Sequence, residues 1–368
     1  MFLPEQLPGL QRQIRAQAER DSRLLDGLVA QAQAMAPAVR PIRPRSATSV
    51  ALTAADGGNN AVTFNPFSLQ IVRIVDSQGK ELFLDVVSPT TDIAELSRKH
   101  LSDQTALGQL MTDLGLTELR HLSPMMTGQS RRWVEVYREL CEWTTLYDLV
   151  CRHDFASDTL IVRDGLLRST IFTGDLLVQI GRLIRAAIDR VAHNHHRRVW
   201  VCGLAKRTAV LDRYRLALSL AGIFDRGTPC FVPVPAALQE NVYRAHEYLR
   251  APDDERTKEG GNLGEMNFVR FGSHSGDPVW TADVLAWQAT DTQAILGYLQ
   301  ADAAAGFPVP FYPLSLQQAD AHSRVGDLDV EMIEDNLVEA IRDLVGHDKA
   351  HVVDALRLTT NVASRRYG

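Results

Sequence analysis

The chain has 368 residues, of which 45% are hydrophobic and 23% charged, with 39 Lys and Arg residues against 45 Asp and Glu residues. This length and composition are typical of one large or two smaller globular domains and exclude wholesale disorder. No run reaches the ~18 apolar residues of a membrane-spanning helix, and the first residues lack the apolar core of a signal peptide. The four cysteines form no C-x-x-C pair, which argues against a disulfide framework or a thiolate zinc site. We therefore expect a cytoplasmic protein that does not enter a membrane.

The first 45 residues are predicted to form a helical arm and a linker. Leu10, Ile14 and Ala18 recur every four residues, so they share one face of an amphipathic helix. Prolines and arginines then alternate in PAVRPIRPRS, which predicts an extended segment because proline restricts both itself and the residue before it. The apolar face of the arm is a candidate surface for dimerisation.

Residues 46–345 are predicted to form one domain in which strands come first and then alternate with helices. The first strand is expected to end at Asp56-Gly57-Gly58, and the next two are joined by a hairpin turn at residues 77–80. The later predicted strands are TLIVRDG, RRVWVCGLAK, NFVRFG and PVWTADVLAW. The predicted helices cover about residues 92–114, 130–150, 175–195, 208–222, 291–305 and 318–345. A mobile loop is expected near residues 251–265 and a tail at 346–368, so the pattern predicts an α/β protein with a mixed sheet flanked by helices.

Two aspartates each follow an apolar predicted strand and precede a glycine. They are Asp56 and Asp164. A carboxylate at the end of a strand faces the rim of the sheet, where side chains of neighbouring strands converge. An Asp-Gly pair after a strand is also a common turn signal, so a plain turn is the alternative. Between them, Glu142 lies among apolar neighbours of a predicted helix and is the acid there expected to turn inward, with an exposed position as the alternative.

Such a group of acids predicts a divalent cation. Carboxylate oxygens suit Mg²⁺ and Mn²⁺, and clustered carboxylates repel one another unless a cation neutralises them. Two cations can together support hydrolysis of a phosphodiester. The pattern therefore predicts metal-dependent phosphoryl chemistry.

In order and approximate spacing, residues 46–345 resemble the NurA nuclease family. The matching segments are ALTAADGG, RELCEWTTLYDLV, TLIVRDGLLRS, VCGLAKRT and GFPVPFYPLSLQQADAHSRVGD. The resemblance implies a ribonuclease H-like fold with an N-terminal helical arm and C-terminal helices. It also implies that two Mn²⁺ or Mg²⁺ ions are held by Asp56, Glu142 and Asp164, which would be the catalytic carboxylates.

The resemblance leaves two further positions of the site open. The family has a metal-binding residue after the Pro-rich turn near the C-terminus, and here either Asp320 or His322 occupies that position. His322 would bind metal or transfer a proton. A tyrosine near the metal falls at either Tyr298 or Tyr312. Lys206 is expected to approach a phosphate or the attacking water as part of the catalytic set.

The resemblance further implies a 5′→3′ exonuclease and single-strand endonuclease that acts on DNA ends during resection for double-strand break repair by homologous recombination. The implied partners are single-stranded DNA and duplex ends, a second copy of the chain, and a HerA-type hexameric ATPase. The chain has no G-x-x-x-x-G-K-[ST] motif, so it is not itself expected to be the motor. Residues expected to contact DNA are Arg168 and Lys206 through phosphates, and Phe311 and Tyr312 through base stacking.

Two other functions remain open. One is a non-catalytic dimeric adaptor that caps a DNA translocase, and the other is an enzyme of the same fold that acts on RNA. The net charge of −6 does not exclude nucleic acid, because two bound divalent cations would bring it to about −2 and reverse the local field.

Overall fold

The computed structural model describes residues 7–45, 50–64, 66–127, 133–240, 261–324 and 326–356. Across these ranges, the helices are all too short or too polar to cross a membrane.

Within these ranges, a sheet of nine strands has the order β1-β7-β8-β9-β6-β5-β2-β3-β4. Its strands are β1 (Arg40–Pro41), β2 (Val50–Phe64), β3 (Phe67–Asp76), β4 (Glu81–Val87), β5 (Asp158–Asp164), β6 (Val199–Ala205), β7 (Cys230–Pro233), β8 (Gly264–Arg270) and β9 (Trp280–Leu285). The predicted hairpin turn lies between β3 and β4 and is confirmed.

Helices cover both faces of this sheet. They are α1 (Leu7–Met35), α2 (Ile93–Ser102), α3 (Ala106–Asp113), α4 (Leu119–Leu122), α5 (Trp133–Arg152), α6 (Leu176–His195), α7 (Ala209–Leu220), α8 (Thr292–Ala303), α9 (Leu314–Ser323) and α10 (Asp327–Val345). The single helix predicted over 318–345 is wrong, because the backbone is extended at Arg324 and a new helix begins after Gly326.

The directions of the strands confirm the predicted fold class. Strands β2, β3 and β4 are antiparallel, whereas β5 runs parallel to β2 and β6 runs parallel to β5. Every residue of β6 is buried, as expected for a parallel strand covered by helices on both faces. The protein is thus an α/β protein with a mixed sheet flanked by helices, an N-terminal helix and C-terminal helices.

Strand β2 does not end where the sequence predicts. It continues through Gly57 and Gly58 to Phe64, because β3 pairs with it along this whole length, from Ala55 with Asp76 to Phe64 with Phe67. Its parallel pairing with β5 ends at Ala55. Asp56 therefore lies where β2 leaves its parallel neighbour, and not in a turn.

The two faces of the sheet contact different helices. Ala54 and Val162 pack with residues of α8 and α9, including Leu296 and Leu316. On the other face, Ile161 packs with residues of α5 and α6. Because successive residues of a strand point to opposite faces, this assignment also decides where the neighbouring polar side chains lie.

The N-terminal and C-terminal segments of the described chain contact the sheet and its helices. Helix α1 is buried only near its C-terminal end, where Gln31 accepts a hydrogen bond from the hydroxyl of Tyr214 in α7 at 2.7 Å. The predicted linker contains β1, which pairs with β7 at the edge of the sheet. Past residue 345, the buried Val353 packs with α10 and the β2–β3 hairpin. Residues 251–260 of the predicted loop lie outside the described residues, and Gly264 already begins β8.

Candidate metal centre

Asp56 and Asp164 lie side by side on one face of the sheet. Ala55 of β2 pairs with Arg163 of β5, and the two aspartates are the next residue on each strand. Each follows by two positions a residue of the core that packs on α8 and α9, so both carboxyl groups face that side. The structure thus brings together the two acids that the sequence predicts.

Asp164 is held by a tyrosine and a lysine. The hydroxyl of Tyr312 donates to Oδ1 at 3.1 Å, and Nζ of Lys206 donates to Oδ2 at 3.3 Å. Lys206 follows β6 directly and precedes Thr208, which caps α7 by accepting a hydrogen bond from the backbone N–H of Leu211. Because α7 begins so soon after β6, Lys206 lies in the short connection between them, at the rim of the sheet.

Tyr312 is the tyrosine at the site. Its ring is fully buried, and burial together with the charge of Asp164 raises the pKa of Tyr312 well above its usual range, so the hydroxyl remains a donor. Tyr298 lies elsewhere, with its ring centre 5.9 Å from that of Trp200.

Asp56 has no ion-pair partner among the residues that the structure describes. Its Oδ1 accepts from the backbone N–H of Gly57 at 2.8 Å, and its Oδ2 accepts from the hydroxyl of Ser323 at 3.4 Å. Burial and the negative charges of Asp164 and Glu142 raise the pKa of Asp56 from 3.8 to about 7. Among the described residues, the main influence that lowers this pKa is the backbone hydrogen bond from Gly57. The uncompensated carboxyl group is what a divalent cation would neutralise.

Glu142 approaches from the opposite face. Its Oε2 accepts from Nη2 of Arg163 at 3.0 Å, and its Oε1 lies 3.4 Å from Nε of Arg138. A Cβ on Gly57 would come within 2.7 Å of Oε1, so Glu142 is close to β2 on the side away from Asp56. Burial raises the pKa of Glu142, while the two arginines oppose this rise. The prediction that Glu142 turns inward is confirmed, yet its carboxylate is engaged by arginines.

The two aspartates fit a divalent cation better than the three acids do. Their oxygens are the ligands that Mg²⁺ and Mn²⁺ prefer, and Asp56 forms no ion pair with any residue that the structure describes. Among the described residues, however, no three His, Cys, Asp or Glu side chains lie close enough together to hold an ion. Glu142 would have to move toward the aspartates to complete such a group.

Asp320 lies near enough to the site for its charge to act on Asp56. The charge of Asp320 contributes to raising the pKa of both Asp56 and Tyr312, and its carboxylate pairs with Arg324 at 2.9 Å. The exposed imidazole of His322 lies beside the β3–β4 turn, where a Cβ on Gly79 would be 3.4 Å from Nδ1.

Of the residues expected to contact DNA, Arg168 already has internal partners. Its Nη2 and Nε donate to Asp283 at 2.7 and 2.8 Å, and its Nη1 donates to Gln239 at 2.9 Å. The side chain of Arg168 is 12% exposed and that of Asp283 is 0% exposed. A phosphate would have to compete with a buried bidentate ion pair.

The predicted stacking of a base on Tyr312 is contradicted by burial. Its ring is 0% exposed, with Trp280 at 5.0 Å between ring centres and the ammonium of Lys206 4.9 Å from its own ring centre. Phe311 is partly buried against the same core. Only Phe307, which is 79% exposed, offers a free aromatic face in this segment among the described residues.

Arg163 is the site residue that the sequence prediction missed. It interrupts the apolar run TLIVRDG, and a charged side chain within a buried strand requires a partner of opposite charge. The arginine within this apolar run could have been recognised from the sequence, and it predicts a buried acidic partner such as Glu142.

No protein-family model matches the chain, and no curated protein matches it. Among solved structures, the chain is similar to the NurA nuclease from Sulfolobus solfataricus, with 13% identity, coverage of 94% of this chain and 99% of that chain, and a TM-score of 0.45. It is also similar to NurA with manganese, at 12% identity over 90% of this chain and 99% of that chain, with a TM-score of 0.41. A structure of NurA bound to dAMP and manganese is also similar, at 12% identity. The match covers 92% of this chain and 98% of that chain, with a TM-score of 0.41.

Proposed function

We propose that the protein is a Mn²⁺- or Mg²⁺-dependent deoxyribonuclease whose cations are held by Asp56 and Asp164. The observation that carries this proposal is the pair of aspartates on one face of adjacent parallel strands, where Asp56 has no ion-pair partner among the described residues. When bound, the cations would supply Lewis-acid activation for phosphodiester hydrolysis. Glu142 and Asp320 are the further acids within reach of this chemistry.

The surrounding side chains have positioning and binding roles in this proposal. The hydroxyl of Tyr312 orients Asp164 through its hydrogen bond to Oδ1, and it stays protonated at neutral pH. Lys206 places a positive charge at the rim beside Oδ2, and its side chain is 36% exposed. An exposed ammonium next to the cation-binding aspartate is suited to contact a phosphate of the DNA backbone.

A cleavage assay tests the proposal directly. Labelled single-stranded DNA, duplex DNA and RNA are incubated with Mn²⁺, Mg²⁺ or EDTA, and we expect DNA cleavage only with a divalent cation. Asp56→Ala and Asp164→Ala should each lower the rate at least ~100-fold, because each removes charge stabilisation needed in the transition state. Asp189→Ala is the matched control, since this side chain is 72% exposed on α6. Retained cleavage by Asp56→Ala would sink the assignment, and cleavage of RNA alone would favour the RNA-directed alternative.

Gly57→Ala should weaken the site while leaving the fold intact. Its methyl group would lie 2.7 Å from Oε1 and 3.0 Å from Cγ of Glu142, which forces this flexible side chain away from β2. We expect roughly tenfold weaker Mn²⁺ binding by calorimetry, as for other changes that misplace a ligand. The free energy of unfolding should change by less than about 1 kcal/mol.

The control for this variant is Gly276→Ala, because a Cβ there meets nothing within 4 Å. Unchanged Mn²⁺ affinity in Gly57→Ala would show that Glu142 does not need its close approach to β2.

We further propose the role in DNA-end resection with a HerA-type hexameric ATPase, including 5′→3′ exonuclease and single-strand endonuclease activity. The ordered sequence segments that resemble NurA nucleases support it. Pull-down of a purified HerA-type ATPase with DNA present is the test, and binding without cleavage under any cation would favour the adaptor alternative.

Helix α1 supports a homodimer. It exposes Leu7, Ile14 and Leu24 by 43%, 59% and 56%, which leaves apolar surface for a second copy. Light scattering should give a dimer for the natural chain and a monomer for Ile14→Glu combined with Leu24→Glu. A dimer that survives both changes would assign the interface to another surface.

A further inference from the structure

Arg163 links the two acid-bearing elements of the site with one buried guanidinium group. Its side chain is 9% exposed, and Nη2 donates to Oε2 of Glu142 on α5 at 3.0 Å. Nη1 donates to the backbone carbonyl of Leu166 at 2.8 Å, which closes the turn that follows Asp164.

The local structure is built around this guanidinium. Gly165 has a φ of +110°, and a Cβ there would lie 2.7 Å from Nη1, so glycine leaves the space that the group occupies. The ring of Trp143 lies 4.9 Å from the guanidinium carbon, in cation–π geometry. These contacts hold Arg163 in one orientation, toward Glu142.

The pairing has an electrostatic consequence for the cation site. Asp56 has no countercharge within the described residues, whereas Glu142 has Arg163 and, at 3.4 Å, Arg138. As the side chains stand, Glu142 is not grouped with the two aspartates closely enough to hold an ion. A cation that recruits Glu142 therefore draws on the same carboxylate as the guanidinium, and both carry positive charge.

We propose that Arg163 is a positioning residue that holds Glu142 away from the divalent cation, so that cation binding proceeds by exchange of Glu142 from Arg163 to the metal. This inference rests on the proposed function only in taking Mn²⁺ or Mg²⁺ as the ligand of Asp56 and Asp164. It assigns to Arg163 the setting of the metal concentration at which the site fills.

Mn²⁺ calorimetry without nucleic acid tests the exchange. Arg163→Met keeps apolar contact with Trp143 and removes the charge, and we expect its Kd for Mn²⁺ to be about tenfold lower. In a Glu142→Gln background the same change should alter Kd less than about threefold, because the competed carboxylate is gone. Arg185→Met, at a side chain that is 60% exposed on α6, is the matched control and should leave Kd unchanged.

An unchanged or higher Kd in Arg163→Met would overturn the proposal, as would a natural protein that binds no Mn²⁺. Arg163→Lys is the second variant if the methionine change disturbs folding. It keeps the charge but lacks the two donors that bridge Glu142 and Leu166, so its Kd should fall between the other two. A Kd for Arg163→Lys no lower than that of the natural protein would also overturn it.

Tryptophan fluorescence gives a readout that needs no change at Arg163. Mg²⁺ should alter the emission of the natural protein, because the exchange moves the charges around the buried Trp143. The change should be lost in Trp143→Phe, and a Mg²⁺ response that persists there would count against the exchange.

Tighter Mn²⁺ binding by Arg163→Met without cleavage of any nucleic acid would uphold this inference and remove the nuclease proposal. Cleavage of DNA by the natural protein, together with an unchanged Kd in Arg163→Met, would uphold the nuclease proposal and remove this inference.

Discussion

Replacing Asp56 by Asn should abolish cleavage and, with EDTA present, make the protein more stable at pH 8. The carboxyl group of Asp56 is buried, faces Asp164 and has no cationic partner among the described residues, so its ionised form is disfavoured in the folded state. The amide of Asn keeps the shape of the side chain and carries no charge. Activity and stability should therefore move in opposite directions, as is common at catalytic sites.

The dependence on pH follows from the raised pKa. Folding raises the pKa of Asp56 from 3.8 to about 7, so between these values the folded protein keeps a proton that the unfolded chain has lost. The stability of the natural protein therefore falls as pH rises through this window and stays lower above it. The difference corresponds to at most about 4 kcal/mol, and partial access of solvent reduces it to about 2 kcal/mol.

Urea unfolding at pH 8 and below pH 4 measures this effect. The gain of Asp56→Asn should be present at pH 8 and absent below pH 4, where Asp56 is protonated in both states. Asp189→Asn is the matched control, because this side chain is 72% exposed on α6 and its replacement should not stabilise the fold at either pH. A less stable Asp56→Asn protein at pH 8 in EDTA would contradict the electrostatic account.

Replacing Arg168 by Ala should destabilise the fold by about 3–5 kcal/mol, because the fully buried Asp283 would be left without its countercharge. The backbone N–H of Leu167, which donates to Asp283 at 3.1 Å, compensates only part of that charge. Denaturant unfolding measures the change. Arg207→Ala, at a side chain that is 83% exposed, should stay within about 0.5 kcal/mol.

The double variant Arg168→Leu with Asp283→Leu should recover much of the loss, since no buried charge then remains. A protein of natural stability that binds DNA more weakly after Arg168→Ala would instead support the predicted phosphate contact.

The parts of the fold that depend on local pattern could be predicted from the sequence. The alternation of apolar residues places β3, β4 and the turn between them, short apolar runs place β5 and β6, and Asp164 does end a strand. The end of β2 could not be predicted, because Asp-Gly-Gly is compatible with both a turn and a strand. The choice is made by pairing with β3, which is a tertiary interaction.

The composition of the site depends on contacts between distant segments. Tyr312 and Asp164 are 148 positions apart, so no local pattern selects Tyr312 over Tyr298. Asp320 and His322 are two positions apart on α9, and no local pattern shows that the charge of Asp320 acts on Asp56 while His322 lies beside the β3–β4 turn. The charge of Arg163 was visible in the sequence, but its pairing with Glu142 depends on how α5 lies across the sheet.

The continuation of β2 beyond Asp56 bears on the synthesis of the protein. The hairpin that it forms with β3 is covered by α10 and Val353, while Tyr312 and Ser323 reach Asp164 and Asp56 from the same late part of the chain. A growing chain on the ribosome thus exposes the strand that carries Asp56 long before the residues that enclose it exist. The site is assembled only after nearly all of the described chain has been translated, so incomplete translation products cannot carry a finished site.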